Sequence, residues 1–205
     1  MSKNSPSQRG FTLIELLVVI ALCAMLISMM LPAFAVARQR AVAVSCQSQL
    51  RQLGAVLAMY ANENQGWLYP VGAGGEPLGF NMPRSRRWPV YVFSPSLWNP
   101  RLLLCPGDPQ AAEEHTYVLN FLIARQKLRR AVRREGLREA EIPLAAEKFS
   151  INEDYFVQGP DLNAVVDPHH HGIRLGSNYL YLDLHVSTIL GNALRPADWQ
   201  EFKTP

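Results

Sequence analysis

The side chains best suited to hold a metal ion come late in the chain. They are Asp167-Pro168-His169-His170-His171, followed by Asp183 and His185. Imidazole nitrogen and carboxylate oxygen are both zinc donors, so His169, His171, Asp183 and His185 form a candidate ligand set. Adjacent histidines do not by themselves converge on one ion, and no spacing here puts two on one helix face. A polar surface loop with solvated imidazoles is the competing reading. Cys46 and Cys105 are the other distinctive pair, because Cys23 lies in an apolar run. Two such cysteines in an exported domain are compatible with a disulfide. Ser45-Cys46 has no histidine partner at a spacing known for thiol enzymes. There is no serine nucleophile motif, zinc-protease helix or phosphate-binding glycine loop. The expectation is a protein that is not an enzyme.

One more ionisable group stands in an unusual place: Glu15, inside RGFTLIELLVVIALCAML (Arg9–Leu26). Leu16–Leu31 carries no charge over sixteen residues and holds nine Leu, Ile or Val. At about −0.3 to −0.6 kcal/mol each, those nine favour bilayer insertion by several kcal/mol. An acid at the bilayer centre costs about 2.5–3.5 kcal/mol, and less near an end, so insertion wins. Lys3 and Arg9 precede the run with no acid among residues 1–10, which orients the N-terminus to the cytoplasm. A secretory signal peptide cut after Ala33-Phe34-Ala35, or a plain signal anchor, would also account for the apolar run. Neither has a use for Glu15. A carboxylate in lipid needs a partner, and an α-amine made by cutting after Gly10, carried on a neighbouring copy's Phe11, would neutralise it.

These groups need elements to position them. The 205 residues are 48% hydrophobic and 18% charged, with 15 Pro and 13 Gly, as in a loop-rich folded body. Net charge is +3; without Lys3 and Arg9 it falls to 18 basic against 17 acidic residues, or +1, which gives no case for a nucleic-acid binder. Past Pro32, Val42, Cys46, Leu50, Leu53, Leu57 and Tyr60 recur every three or four residues, predicting an amphipathic helix to about Asn64 with Gly66 available as its cap. Trp88–Phe93 and Arg101–Cys105 read as short strands. Ser177–Leu182 and His185–Leu190, separated by Asp183-Leu184, read as a β-hairpin. The run Arg125–Arg134 packs six cations into ten residues. With Glu135, Glu139 and Glu141 following, it reads as a solvated helical face, with an anionic neighbour in an assembly as the sharper alternative. Trp67, Tyr69, Trp88, Tyr91 and Trp98 fit packing of a small core better than a carbohydrate platform.

Gly10-Phe11-Thr12-Leu13-Ile14-Glu15-Leu16-Leu17-Val18-Val19-Ile20, behind a short basic leader, resembles the N-terminal signature of type IV prepilins and type II secretion pseudopilins. The resemblance implies cleavage after Gly10 by prepilin peptidase, N-methylation of Phe11, and a role for Glu15 in aligning subunits. Pro32 falls where many of these proteins carry a helix-kinking proline. Ser45–Pro70, Leu103–Pro109, Thr116–Asn120 and Ser177–Val186 resemble a group of bacterial prepilin-like proteins ending in a His-x9-Asp-Gly "processing-associated" element. That element departs from its pattern here. Eleven residues separate His171 from Asp183, and Leu184 stands where the element has glycine. A longer or bulged turn is expected, since Leu resists positive φ. The resemblance also implies pairing of Cys46 with Cys105, and some pseudopilins hold calcium in a C-terminal loop.

The expected protein is α+β and pilin-like: a long N-terminal helix on a small antiparallel sheet. Residues 1–10 are a cytoplasmic leader and 11–37 a transmembrane and filament-core helix. Residues 38–205 are a periplasmic domain, with an amphipathic helix at 38–64, a loop-rich β region at 65–205 and a basic helical insertion at about 121–141. Expected partners are prepilin peptidase, other pilin or pseudopilin subunits, the bilayer, and an inner-membrane assembly platform with a cytoplasmic ATPase. Nucleic acid is not among them. No cofactor is expected beyond the open question of zinc or calcium. The alternative is a membrane-anchored or Sec-released extracytoplasmic binding domain that does not polymerise.

Overall fold

The computed structural model describes residues 11–69, 100–108, 115–120, 123, 127, 142–147, 156–157, 171 and 175–190. Helix α1 runs from Leu13 to Glu63, with Pro32 inside it. Its N-terminal part is apolar on all sides, and its large side chains, from Leu13 and Ile14 to Leu31 and Phe34, are all exposed. Such a surface has no polar face to give to water, so it requires a nonpolar surrounding. The chain divides into two compact units, residues 1–39 and 40–205.

In the second unit α1 becomes amphipathic. Ala43, Cys46, Leu50, Leu53, Gly54, Leu57 and Ala61 are buried, with Val42 and Tyr60 partly buried beside them. The stripe read from the sequence is therefore the face that enters the core. The helix ends in a left-handed turn at two successive residues, Gln65 (φ 55°) and Gly66 (φ 87°). Gly66 N–H donates to the Ala61 carbonyl at 2.8 Å, closing a six-residue terminal loop of the Schellman kind. Asn64 reinforces it through its side-chain amide, which donates to the Tyr60 carbonyl at 2.9 Å.

Among the described residues five strands follow: β1 (Tyr117–Asn120), β2 (Pro143–Glu147), β3 (Phe156–Val157), β4 (Ser177–Tyr181) and β5 (Val186–Ile189). The sheet order is β3-β1-β2-β4-β5. β1, β2, β4 and β5 pair antiparallel, as expected, and the two-residue β3 adds a parallel edge to β1. β1 and β2 are buried at every residue, so their sequences show no polar–apolar alternation. Pro143 opens β2, a position that tolerates its missing N–H, and the pairing with β4 shifts register between Pro143 and Ala145. Leu50, Leu53 and Leu57 of α1 join Leu119, Ile142, Leu144 and Leu180 in one core.

Two glycines allow close approach. A Cβ on Gly54 would lie 3.0 Å from Leu180 Cδ1 and 3.3 Å from Leu184 Cδ2, so the helix presents bare backbone to the β4–β5 hairpin. A Cβ on Gly176, at φ +63°, would lie 2.0 Å from the Ile189 carbonyl oxygen. The hairpin loop is one residue longer than a two-residue turn. Tyr181 N–H donates to the His185 carbonyl, Leu184 N–H donates to the Tyr181 carbonyl, and Leu184 sits at φ 70°. This is the three-residue loop in which glycine ordinarily takes the left-handed place.

Residues 100–103 correct the sequence reading of a strand at Arg101–Cys105. Pro100–Leu103 forms a 3-10 helix. Proline's fixed φ suits a first helical position and removes the donor a strand would need. Trp88–Phe93 lies outside the described residues, as does most of 121–141. Of the two described residues within that stretch, Ile123 is helical, while Lys127 forms an isolated antiparallel bridge with Trp67 and places its ammonium 5.6 Å from the centre of the Trp67 ring.

Candidate functional site

Thr12 caps α1. Its backbone N–H and its Oγ1 donate to Glu15 Oε2 at 2.8 and 2.7 Å, and Glu15 N–H points back to Thr12 Oγ1 at 3.3 Å. The spacing Thr-x-x-Glu is a capping box, which satisfies donors that a helix start leaves open. The sequence reading gave Glu15 no use within its own chain; the structure gives it one. The T-x-x-E spacing before the apolar run is the signal that could have found it. Phe11, next to this cap, is exposed, while Gly10 lies outside the described residues.

A second constellation is buried in the other unit. Cys46 of α1 is joined to Cys105 by a disulfide, with Cα atoms 5.3 Å apart. Beside it the Glu147 carboxylate, at the end of β2, is fully buried. Glu147 Oε1 lies 2.8 Å from His171 Nε2. Asn178 donates its backbone N–H to Oε2 at 2.7 Å and its side-chain amide to Oε1 at 3.1 Å. The same amide reaches the Ala43 carbonyl of α1 at 3.3 Å and lies 3.0 Å from His171 Nε2. One imidazole nitrogen cannot both donate and accept. With Glu147 ionised, Nε2 carries its proton toward Oε1, and Asn178 shares its two amide hydrogens between Oε1 and Ala43.

A bare buried carboxylate would be expensive, and these donors are what makes it tolerable. Asn178 is in turn fixed by Thr188 Oγ1, which donates to Asn178 Oδ1 at 2.7 Å and accepts from Gln47 Nε2 at 2.7 Å. Helix α1, β2, β4 and β5 are thus tied through one polar chain. Burial pushes the Tyr117 hydroxyl well above its ordinary pKa, and the carboxylates of Glu147 and Asp108 push it the same way. The backbone after Cys105 closes on the cluster because residue 107 is glycine: a Cβ there would lie 2.7 Å from Val42 Cγ1 and 3.4 Å from His171 Nδ1.

The four metal-ligand candidates are divided by the fold. His171 belongs to the buried cluster. Asp183 and His185 pair with each other on the hairpin loop, where the His185 backbone N–H donates to Asp183 Oδ1 at 3.1 Å and the ring meets the same oxygen. His169 lies outside the described residues. The His185 ring also stacks on Tyr181, with centroids 4.3 Å apart. Partial burial pushes the Asp183 carboxyl up, but the hydrogen bonds and charge of His185 outweigh it and leave it below the ordinary value. Sequence reasoning missed Glu147 altogether. A single acid after Pro-Leu-Ala-Ala carries no spacing signal, and only the sheet brings it to His171.

Residues 5–31 match the family described as the prokaryotic N-terminal methylation motif. No curated protein and no solved structure matches the chain. The motif covers the leader from residue 5 on, with Arg9 but not Lys3, together with the capping box and the apolar stretch of α1 up to Leu31. It is of prepilin type and supports a prepilin-like subunit in general: a structural protein processed by prepilin peptidase and associating with other pilins. α1 is also long and apolar enough to cross a membrane, and none of its most apolar stretch is buried within the chain's own fold.

Proposed function

We propose that this chain is the subunit of a type IV pilus-like filament or a type II secretion pseudopilus. It would be cut between Gly10 and Phe11 and methylated on the Phe11 amine. Before assembly it is held in the inner membrane by the first half of α1, with residues 1–10 cytoplasmic and residues 38–205 periplasmic. The observation that carries the proposal is the methylation motif lying on a helix whose most apolar stretch is wholly unburied. A packed bundle of such helices substitutes for lipid around that surface. Extraction from the bilayer needs work, which a cytoplasmic ATPase acting through an assembly platform supplies.

In the assembled filament the new amine of one subunit's Phe11 sits against a neighbour's Glu15, neutralising two charges that lipid and helix packing both disfavour. The capping box bears on this step. It holds the Glu15 carboxylate at the helix start, beside the residue whose amine is exposed by the cut. Pro32 removes the N–H that would bond the Ser28 carbonyl, giving α1 a place to bend during packing. The test is the mass of the N-terminal peptide from the host's membranes. A chain starting at N-methylated Phe11 is expected, whereas a soluble chain starting at Val36 would overturn the reading.

A further inference from the structure

Among the described residues, one group of metal-type donors converges, and it is not the set the sequence suggested. Cys46, Cys105, Glu147 and His171 each offer one ligand atom, and the four atoms lie within 4.8 Å of one another. They come from four separate segments: α1, the loop after the 3-10 helix, the end of β2, and the turn before β4. A tetrahedral zinc ion with Zn–S of ~2.3 Å and Zn–N or Zn–O of ~2.0–2.1 Å holds its ligands ~3.3–3.8 Å apart; the two sulfurs and the Glu147–His171 pair, now 2.8 Å apart, would open to that spacing, while any pair near the 4.8 Å limit would draw in. Cysteine Cα atoms 5.3 Å apart leave room for two sulfurs on one ion once they are not bonded to each other.

The surroundings are those of a closed structural site. The His171 side chain is 2% exposed and that of Glu147 is 0% exposed. The outer carboxylate oxygen of Glu147 is already held by the Asn178 backbone N–H at 2.7 Å, the kind of support that orients a ligating carboxylate. Gly107 N–H lies 3.4 Å from Cys105 Sγ and would stabilise a thiolate there.

We infer that, with both thiols reduced, the chain binds one zinc ion through Cys46 Sγ, Cys105 Sγ, Glu147 and His171. The disulfide and the metal are then alternative clasps between α1 and the sheet. A newly made chain carries its cysteines as thiols, so no reductant is required for the metal-bound form. Two thiols and one Zn²⁺ give two zinc–sulfur bonds and release two protons, while the neutral His171 ring keeps its own proton on the nitrogen turned away from the ion. Oxidation by a disulfide-exchanging partner would transfer two electrons from the thiolates, form the S–S bond and discharge the ion. This inference is independent of filament assembly and does not rest on it.

The test uses the full chain in detergent, reduced with a phosphine and freed of excess reductant, with cobalt(II) as the probe and zinc as competitor. Expected are thiolate-to-cobalt charge-transfer and tetrahedral d–d bands saturating at one ion per chain, displaced by zinc with release of about two protons. The oxidised chain should show no such bands. Glu147→Gln and His171→Ala should each weaken binding at least about tenfold, the lower end for losing one ligand or its support. Absence of the bands in the reduced chain overturns the inference, whether that chain is folded or unfolded by circular dichroism. So does binding that both variants leave unchanged, which would mark two thiols acting alone.

Discussion

Thr12 and Glu15 hydrogen-bond reciprocally, with Thr12 Oγ1 donating to Glu15 Oε2 at 2.7 Å and Glu15 N–H aimed at Thr12 Oγ1 at 3.3 Å. Glu15 therefore has two possible uses, one local and one between subunits, and alanine would remove both. Glutamine separates them, because it keeps the capping box but cannot neutralise an amine. Glu15→Gln is expected to insert in the membrane and keep its helix, yet to be absent from sheared filaments. Thr12→Ala should cost the helix start about 0.5–2 kcal/mol and leave the charge in place. Wild-type incorporation of Glu15→Gln would show that the carboxylate's charge is not what assembly reads.

The Glu147–His171 pair gives a stability prediction in the oxidised chain. Removing one member leaves the other buried with its partner gone, at a cost of about 3–5 kcal/mol for a fully desolvated pair. Glu147→Ala and His171→Ala should each lower the denaturant midpoint of the folded domain, and the double variant should cost less than their sum. Additive losses would mean the two side chains are not energetically coupled.

How far the sequence disclosed this architecture depended on whether a signal was local. The stripe from Val42 to Tyr60 predicted a buried helix face because its period is set by the helix itself. The hairpin around Asp183-Leu184 was legible from two alternating runs, and the extra loop residue followed from placing Leu where positive φ is needed. Arg101–Cys105 misled because apolar content outweighed Pro100, whose fixed φ started a 3-10 turn. Glu147 was invisible because its partners, His171 and Asn178, lie 24 and 31 residues away and meet it only through strand register. The capping box was readable, but a larger role for Glu15 obscured it.

Gln65 occupies the left-handed place after α1 at φ 55°, where a side chain is strained and glycine is not. Gln65→Gly is expected to stabilise the domain by about 1 kcal/mol, since the Cβ clash disappears and the exposed side chain gives up little. Thermal unfolding should move upward. A lower melting temperature would mean the extra freedom of glycine in the unfolded chain outweighs the relief.

Asp183 sets an acid limit for the hairpin. Its folded pKa lies below the ordinary value because the hydrogen bonds from His185 outweigh partial burial. A depressed carboxyl stabilises the fold fully above its unfolded value of about 3.9, and that contribution is lost as pH falls through the lower folded value. The difference in melting temperature between wild type and Asp183→Asn should therefore be largest near neutrality and shrink on acidification. A gap that stays constant down to about pH 2 would show the carboxylate's charge is not the source.

The disulfide between Cys46 and Cys105 spans a sequence separation of 59 residues, joining α1 to the loop that leads into β1. Closing a segment of that length restricts the unfolded chain by about 4 kcal/mol on the loop-entropy account. The paired substitution Cys46→Ala, Cys105→Ala removes the link without leaving a lone buried thiol, and should lower unfolding free energy by roughly that amount. Metal-free reduced wild type should fall near the double variant, since both lack the covalent tie. Adding zinc should then raise the reduced wild type alone, because only it retains the two sulfur ligands. If the double variant loses less than about 1 kcal/mol, the polar chain through Glu147, Asn178 and Ala43 is enough to hold α1 on the sheet, and the covalent link adds little to the folded domain.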